Sequence, residues 1–187
     1  MNQAHFEPYR RRVTGAARGR VLEIGVGSGL NLPLYSADTQ VVGLDPSPKL
    51  LSMARTVVND PSRSIELIEG SAESIPLPDN SVDTVVTTWT MCSILNLGAA
   101  LSEVRRVLKA DGQLLFAEHG RSHEPNVKRW QNRLTPVWKR IGGGCHLNRQ
   151  IDHLIRDGGF DIEQIQTGYM KGPKPMTFMF EGIARKL

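Results

Sequence analysis

Apolar residues recur along the chain in short runs closed by glycine, proline or aspartate, with amphipathic stretches between them. RVLEI at 20–24 ends on glycine, and QVVGLD at 40–45 is rich in β-branched side chains. SIELIEG at 64–70 alternates, and SVDTVVTT at 81–88 and QLLFAEH at 113–119 complete five predicted strands. After the second strand, Ser47-Pro48 opens a helix: the hydroxyl caps free amides, and proline suits the first helical position. Leu50, Leu51, Ala54 and Val58 supply its apolar face. Residues 98–112 carry apolar positions at 100, 101, 104, 107 and 108, and Asp111-Gly112 is expected to stop that helix. Strand and helix in alternation predict right-handed crossovers and a mostly parallel, doubly wound sheet covered on both faces, an α/β fold.

The rhythm breaks after His119. Val127, Trp130, Leu134, Val137, Trp138 and Ile141 fall at helical spacing, which Pro136 is expected to interrupt, and Gly142, Gly143 and Gly144 follow. A further helix is then predicted, capped by Asn148 and stopped by Gly158-Gly159. Two last strands, DIEQIQTG and TFMFEGIARKL, are separated by the loop YMKGPKPM. The organisation expected is one domain over 1–187 with a lid-like insertion at 120–147.

A hydrophobic fraction of 40% with 22% charged residues over 187 positions is ordinary for a globular domain and argues against disorder. No apolar run nears the ~20 residues that a bilayer span needs. The first twenty residues lack the apolar centre of a secretory signal, so a cytoplasmic location is expected. Cys92 and Cys145 show no metal-ligand spacing, and no metal is expected. The net charge of +4 concentrates in Arg10, Arg11, Arg12, Arg18 and Arg20, and in seven cations between 121 and 149 (Arg121, Lys128, Arg129, Arg133, Lys139, Arg140, Arg149). Both groups are expected to form a solvated basic face. No aromatic stacking pattern runs among them, so nucleic acid is not an expected partner.

Chemistry enters at VLEIGVGSGLNLPLY, 21–35. Gly25, Gly27 and Gly29 follow a strand and lead into an expected helix start, where backbone can approach a ligand closely. Dinucleotide sites also use such glycines, to seat a pyrophosphate on helix amides. Glu23, two residues before the first glycine, would repel a pyrophosphate and attract a cation. Asp45 ends the second strand, where an acid can accept both hydroxyls of a ribose. A ribose together with a positive charge points to S-adenosylmethionine.

Those residues carry a resemblance. EIGVGSG at 23–29, Asp45-Pro46-Ser47, GSAESIPLPDNSVDTVV and EVRRVLKADGQLLF together resemble the class I S-adenosylmethionine-dependent methyltransferases. The resemblance implies a Rossmann-like sheet of seven strands with the last antiparallel. It implies that Glu23, Gly25, Val26, Gly27, Ser28, Gly29 and Asn31 surround the methionine portion, with Thr88 and Trp89 beside it. Asp45 and Pro46 would flank the ribose, and Ser71, Ala72 and Glu73 the adenine. Ser71 stands where many relatives carry Asp.

The acceptor is expected at the ends of strands four and five and in the insertion. TTWTMCSI lacks the Asp/Asn-Pro-Pro-aromatic box of amino-methylating DNA enzymes. His119 can take a proton near neutral pH, or can be a packed histidine with one hydrogen bond. Cys92 and Cys145 read as small buried side chains rather than reactive thiols, since methyl transfer needs no covalent intermediate. CSIL, FAEHG, LTPVWK, GGCHLNR and MFEGIARK resemble animal proteins that S-methylate alkyl thiols. Their N-terminal membrane anchor is not expected to carry over, because the N-terminal stretch here does not match one. VGSGLNLPLY is similar to bacterial phospholipid N-methyltransferases. The reading is a small, largely apolar acceptor, most simply a thiol, with His119 as candidate base and Met91, Cys92, Trp130, Trp138 and Cys145 around it. Trp130 and Trp138 fit core packing of a lid helix equally well. A lipid or small-amine acceptor met by peripheral membrane contact, and a non-catalytic cofactor-binding regulator, are the alternatives.

Overall fold

The computed structural model describes residues 5–58 and 62–187; the first four of the N-terminal stretch lie outside them. The order is α1 (Glu7–Ala16), β1 (Arg20–Ile24), a 3-10 turn (Leu32–Leu34), β2 (Gln40–Asp45), α2 (Pro48–Val57), β3 (Ile65–Glu69) and β4 (Val82–Thr88). There follow α3 (Leu97–Val107), β5 (Leu108–His119), α4 (Pro125–Ile141), α5 (Ile151–Asp157), β6 (Phe160–Tyr169), α6 (Lys174–Thr177) and β7 (Phe178–Lys186). The strands lie side by side as β3-β2-β1-β4-β5-β7-β6. β1 to β5 pair in parallel, and β7 runs antiparallel between β5 and β6. This is the expected single-domain, doubly wound, Rossmann-like sheet with an antiparallel last strand. Among the described residues no helix is long and apolar enough to cross a membrane.

Adjacent apolar residues in the central strands explain why the sheet is covered twice. Leu22, Val42, Val85 and Leu114 join one core with α3 and α5, while Val21, Val41, Val86 and Leu115 join the other with α1 and α2. A strand's side chains alternate between faces, so a run such as VL or VV is buried only where both faces are.

Several local expectations are corrected. The chain does not enter a helix after Gly29; it makes only the 3-10 turn at Leu32–Leu34. α3 ends at Val107, and Leu108, fully buried, is already the first residue of β5, opposite Val82. Asp111-Gly112 therefore lies within β5, where the register shifts before Gln113 pairs with Thr84. Pro136 does not interrupt α4, which runs on to Ile141; the position costs one backbone hydrogen bond rather than the helix. Asn148 does not cap α5: its amide donates to Asn132 Oδ1, and Gln150 stands at the cap. Leu50 is partly exposed while Leu51 and Ala54 form the buried face of α2, and Val58 lies past its end. The Ser47 cap is as expected, its Oγ accepting from Leu50 N at 3.3 Å.

α1 carries no predicted counterpart. Its sequence signals are weak: Pro8 in the first turn and the Glu7–Arg11 pair one turn apart at 2.7 Å. Only Val13 and Thr14 are fully buried along it. Its place against β4 and β5 nevertheless puts Arg10 at the carboxyl ends of the strands.

Candidate active site

The strand order reverses between β1 and β4, and a crevice opens outside their carboxyl ends, where ligands of such sheets bind. The crevice there has a volume of about 690 Å³, within the range of small-molecule sites. Of the residues predicted for the cofactor, Gly25, Val26, Gly27, Ser28, Asp45, Pro46, Ser71, Ala72, Glu73, Thr88 and Trp89 line it. Glu23, Gly29 and Asn31 do not; they lie behind its wall. Gly29 is required by packing, since a Cβ there would press on Leu32 and Ala54. Gly27 has φ +55° and its absent Cβ would meet nothing closer than Gly25 O at 3.9 Å, so it leaves open space facing the crevice. Gly25, at φ +70°, has the Thr90 side chain where a Cβ would be.

Asp45 closes β2 with both carboxylate oxygens engaged. Gly27 N donates to Oδ2 at 3.0 Å and Ser47 N to Oδ1 at 2.8 Å. The acid thus ties the glycine turn to the start of α2, and it lines the crevice. Ser71 Oγ accepts from Glu73 N at 3.2 Å, and Glu73 Oε1 accepts from Asn96 N at 2.6 Å, which fixes the loop after β3.

Glu23 is 2% exposed. Its carboxylate accepts from Asn31 Nδ2 at 2.8 Å and from Tyr35 Oη at 2.9 Å. Burial pushes its pKa up to about 7, against the pull of those hydrogen bonds and of the Arg10 charge. A carboxylate protonated more readily when folded stabilises the fold below its ordinary value of 4.5 and loses that contribution as pH rises through about 7. At 1.36 kcal/mol per decade of proton affinity, that interval corresponds to about 3 kcal/mol. The expected result is a melting temperature that falls between about pH 4.5 and 7, a slope that Glu23→Gln flattens in thermal scans.

Arg10 does not belong to the solvated basic face expected of it. It is half-buried, donates to Asn31 Oδ1 at 2.8 Å, and stacks 5.1 Å above the Trp89 ring. Among the described residues it is the only cation lining the crevice. Its Nε and the Trp89 Nε1 are buried without a partner. Trp89 also has φ +52°, a strained conformation for a bulky residue, and strain of this kind clusters at binding sites.

A second chamber of about 430 Å³ adjoins the first and shares Arg10, Trp89 and Ser93 with it. Of the residues expected around the acceptor, Cys92, His119, Trp138 and Cys145 line it, with Phe6, Leu147, Met170 and Met176. Met91 and Trp130 are corrected. Met91 is 1% exposed in the main core. Trp130 is 54% exposed on the outside of α4, under Arg133, because eight residues of helix rotate it about 80° from Trp138. Arg149, grouped with the basic face, is also corrected: its guanidinium turns inward and donates to Met91 O and Ile94 O.

His119 Nε2 lies 2.9 Å from Cys145 Sγ. Burial disfavours a charge on His119, yet the neighbouring Cys92 thiol and the Glu118 carboxylate outweigh it and raise its pKa. Cys145 pushes the Cys92 thiol up to about 12, while contact with Cys92 lowers Cys145. Glu118 is fully buried; desolvation raises it to about 8, although Thr90 N donates to it at 3.0 Å.

Residues 22–116 match the family model of a methyltransferase domain. The chain is 35% identical over 152 residues to thiol S-methyltransferase TMT1B of Rattus norvegicus, covering 78% of this chain and 62% of that protein. It is 36% identical over 118 residues to phosphatidylethanolamine N-methyltransferase of Cereibacter sphaeroides, covering 60% and 58%. The chain thus spans about three-fifths of the length of each of these relatives. Its fold matches a SAM-dependent methyltransferase of Methanosarcina mazei with a TM-score of 0.73 at 22% identity, over 90% of this chain and 92% of that one. With the sheet order, the glycine turn and the domain model in agreement, the chain belongs to the class I S-adenosylmethionine-dependent methyltransferases, with S-adenosylmethionine as its cofactor.

Proposed function

We propose that this chain transfers the cofactor's methyl group to a small, largely apolar acceptor, and that the acceptor is a thiol. The observation that carries the reading is the pair of adjoining chambers with Arg10, Trp89 and Ser93 as their common wall. When bound, the cofactor supplies an electrophilic methyl on a positively charged sulfur. In this reading Gly25, Gly27 and Ser28 pass their backbone along the methionine portion, and Asp45 accepts from the ribose. Ser71, Ala72 and Glu73 border the adenine. Glu23, held behind the wall by Asn31 and Tyr35, favours a cation in its ionised form, and a bound cation in turn favours that form.

Arg10 lines the crevice and has the charge to take the methionine carboxylate. A charge-assisted hydrogen bond of this kind contributes about 1.5–3 kcal/mol. Arg10→Gln is therefore expected to raise the cofactor KM at least about tenfold in initial-rate assays, with kcat within about twofold.

The second chamber suits a soft, apolar acceptor. Trp138, Leu147, Met170 and Met176 form apolar walls, and α4 with the turn through Leu147 serves as their lid. Gln131 fixes that lid, its Nε2 donating to Gly120 O at 2.9 Å and its Oε1 accepting from Ser122 N at 2.9 Å. Enclosure excludes water and aligns nucleophile with methyl, which displacement at carbon needs. In the metal-free chain His119 is the group placed to take the thiol proton. The reading is tested with labelled S-adenosylmethionine against thiol, amine and phenol panels. Label in thioethers supports it; label confined to amines or phenols removes the thiol.

A second reading has a specific observation behind it. Trp130, Val137 and Ile141 are exposed along one stripe of α4, beside Arg129, Arg133 and Arg140. A stripe of this kind can rest on an anionic membrane surface and present a lipid amine to the site. Sedimentation with anionic vesicles at low salt supports that reading if the chain pellets, and counts against it if the chain stays in the supernatant.

A further inference from the structure

Three side chains far apart in sequence meet on the wall of the acceptor chamber: Cys92 after β4, His119 at the end of β5, and Cys145 after α4. Their sulfur and nitrogen ligand atoms all lie within 4.8 Å of one another, and all three residues are buried. We propose that this trio is a metal site of the Cys2His type, taking a soft divalent ion such as zinc, with its fourth position open to the acceptor chamber.

The local structure holds the trio in place. Gly143 and Gly144, at φ +63° and +86°, make the turn that delivers Cys145, which also donates from its backbone to Gly142 O at 3.2 Å. His146 N donates to Cys92 O at 2.9 Å, tying the two cysteine segments together. Arg149 braces the segment after Cys92 through the carbonyls of Met91 and Ile94.

Zinc takes thiolate at about 2.3 Å and imidazole at about 2.0–2.1 Å, which puts neighbouring ligand atoms between three and four ångströms apart in a tetrahedron. His119 Nε2 and Cys145 Sγ, at 2.9 Å, would open by about half an ångström, and separations as wide as 4.8 Å would close by about one, which brings this trio there. Two thiolates neutralise a divalent ion, so the buried site would carry no net charge. Two sulfurs and an imidazole select zinc or copper over magnesium or calcium, which take oxygen. Three protein ligands with one open position is the arrangement of reactive zinc rather than structural zinc.

The inference rests on the thiol reading and deepens it. The acceptor's sulfur would take the fourth position, its proton leaving to water, because a thiol that coordinates zinc is deprotonated. A sulfur lone pair stays free to displace the methyl: a carbon–sulfur bond forms to the acceptor as the cofactor's bond breaks, leaving a thioether and S-adenosylhomocysteine. In this form His119 is a ligand and not the proton acceptor.

The test uses the full chain, stripped by a chelator and kept under a phosphine reductant. Titration with zinc is expected to saturate at one ion per chain, and cobalt(II) to give thiolate charge-transfer absorption with tetrahedral visible bands. Cys92→Ser and Cys145→Ser are each expected to weaken zinc at least a hundredfold and remove that absorption. Should either variant fold poorly, the cobalt spectrum of the unaltered chain decides alone. No saturation, or a cobalt spectrum without thiolate bands, overturns the site. Saturable binding without turnover of any thiol upholds the site and removes the thiol reading. Thiol methylation equal in stripped and zinc-loaded chains upholds that reading and overturns the metal's part in it.

Discussion

Asp45→Ala is expected to raise the dissociation constant for S-adenosylmethionine about a hundredfold, which corresponds to about 2.7 kcal/mol. The size follows from two duties converging on one carboxylate. Its oxygens hold the Gly27 and Ser47 amides at 3.0 and 2.8 Å, so its removal loosens the glycine turn and the start of α2 together. In the proposed complex the same oxygens accept from the ribose, and hydrogen bonds to a charged group contribute about 1.5–3 kcal/mol each. Asp45→Asn keeps one acceptor oxygen and most of the shape, so its loss should be about tenfold. Calorimetric titration of both variants checks the order. Equal affinity in Asp45→Ala and the unaltered chain would remove Asp45 from the cofactor site.

In the metal-free chain, His119→Gln should lower kcat toward thiols by a factor of about 10²–10⁴, the range of a positioned proton acceptor, with cofactor binding within about twofold. Glutamine keeps a hydrogen-bonding side chain of similar reach beside Cys145, so the fold is expected to stand. The loss should shrink as the acceptor thiol becomes more acidic, because a thiol already ionised needs no proton acceptor. A series of acceptors of graded acidity, assayed under kcat conditions, reads this directly. An even loss across the series contradicts a base.

What the sequence disclosed follows from how local each constraint is. Paired apolar residues such as Val21-Leu22 and Val85-Val86 announce strands covered on both faces, because burial on two sides leaves no polar alternation. The glycine turn and Asp45 are legible for a similar reason: the sheet order brings the ends of β1 and β2 side by side, and the crevice residues there come from short neighbouring segments. Arg10 escaped because α1 has a thin apolar face and its partners, Asn31 and Trp89, are 21 and 79 positions away. Cys92, His119 and Cys145 are each legible as acceptor-side residues, but their meeting within 4.8 Å is not, since no spacing rule spans such separations. Residue type alone points Met91 and Trp130 to the acceptor wall; which way each side chain turns depends on helix phase and core packing. The end of α3 was misplaced because Leu108 continues the helical period yet is buried equally well as the first residue of β5.

Calorimetric titration of the chain with S-adenosylmethionine, beside a nicotinamide dinucleotide as control, tests the central claim most directly. Saturable one-to-one binding of the sulfonium nucleoside, weakened in Asp45→Ala and absent for the dinucleotide, is the predicted result. No heat with S-adenosylmethionine, or preference for the dinucleotide, would contradict the account.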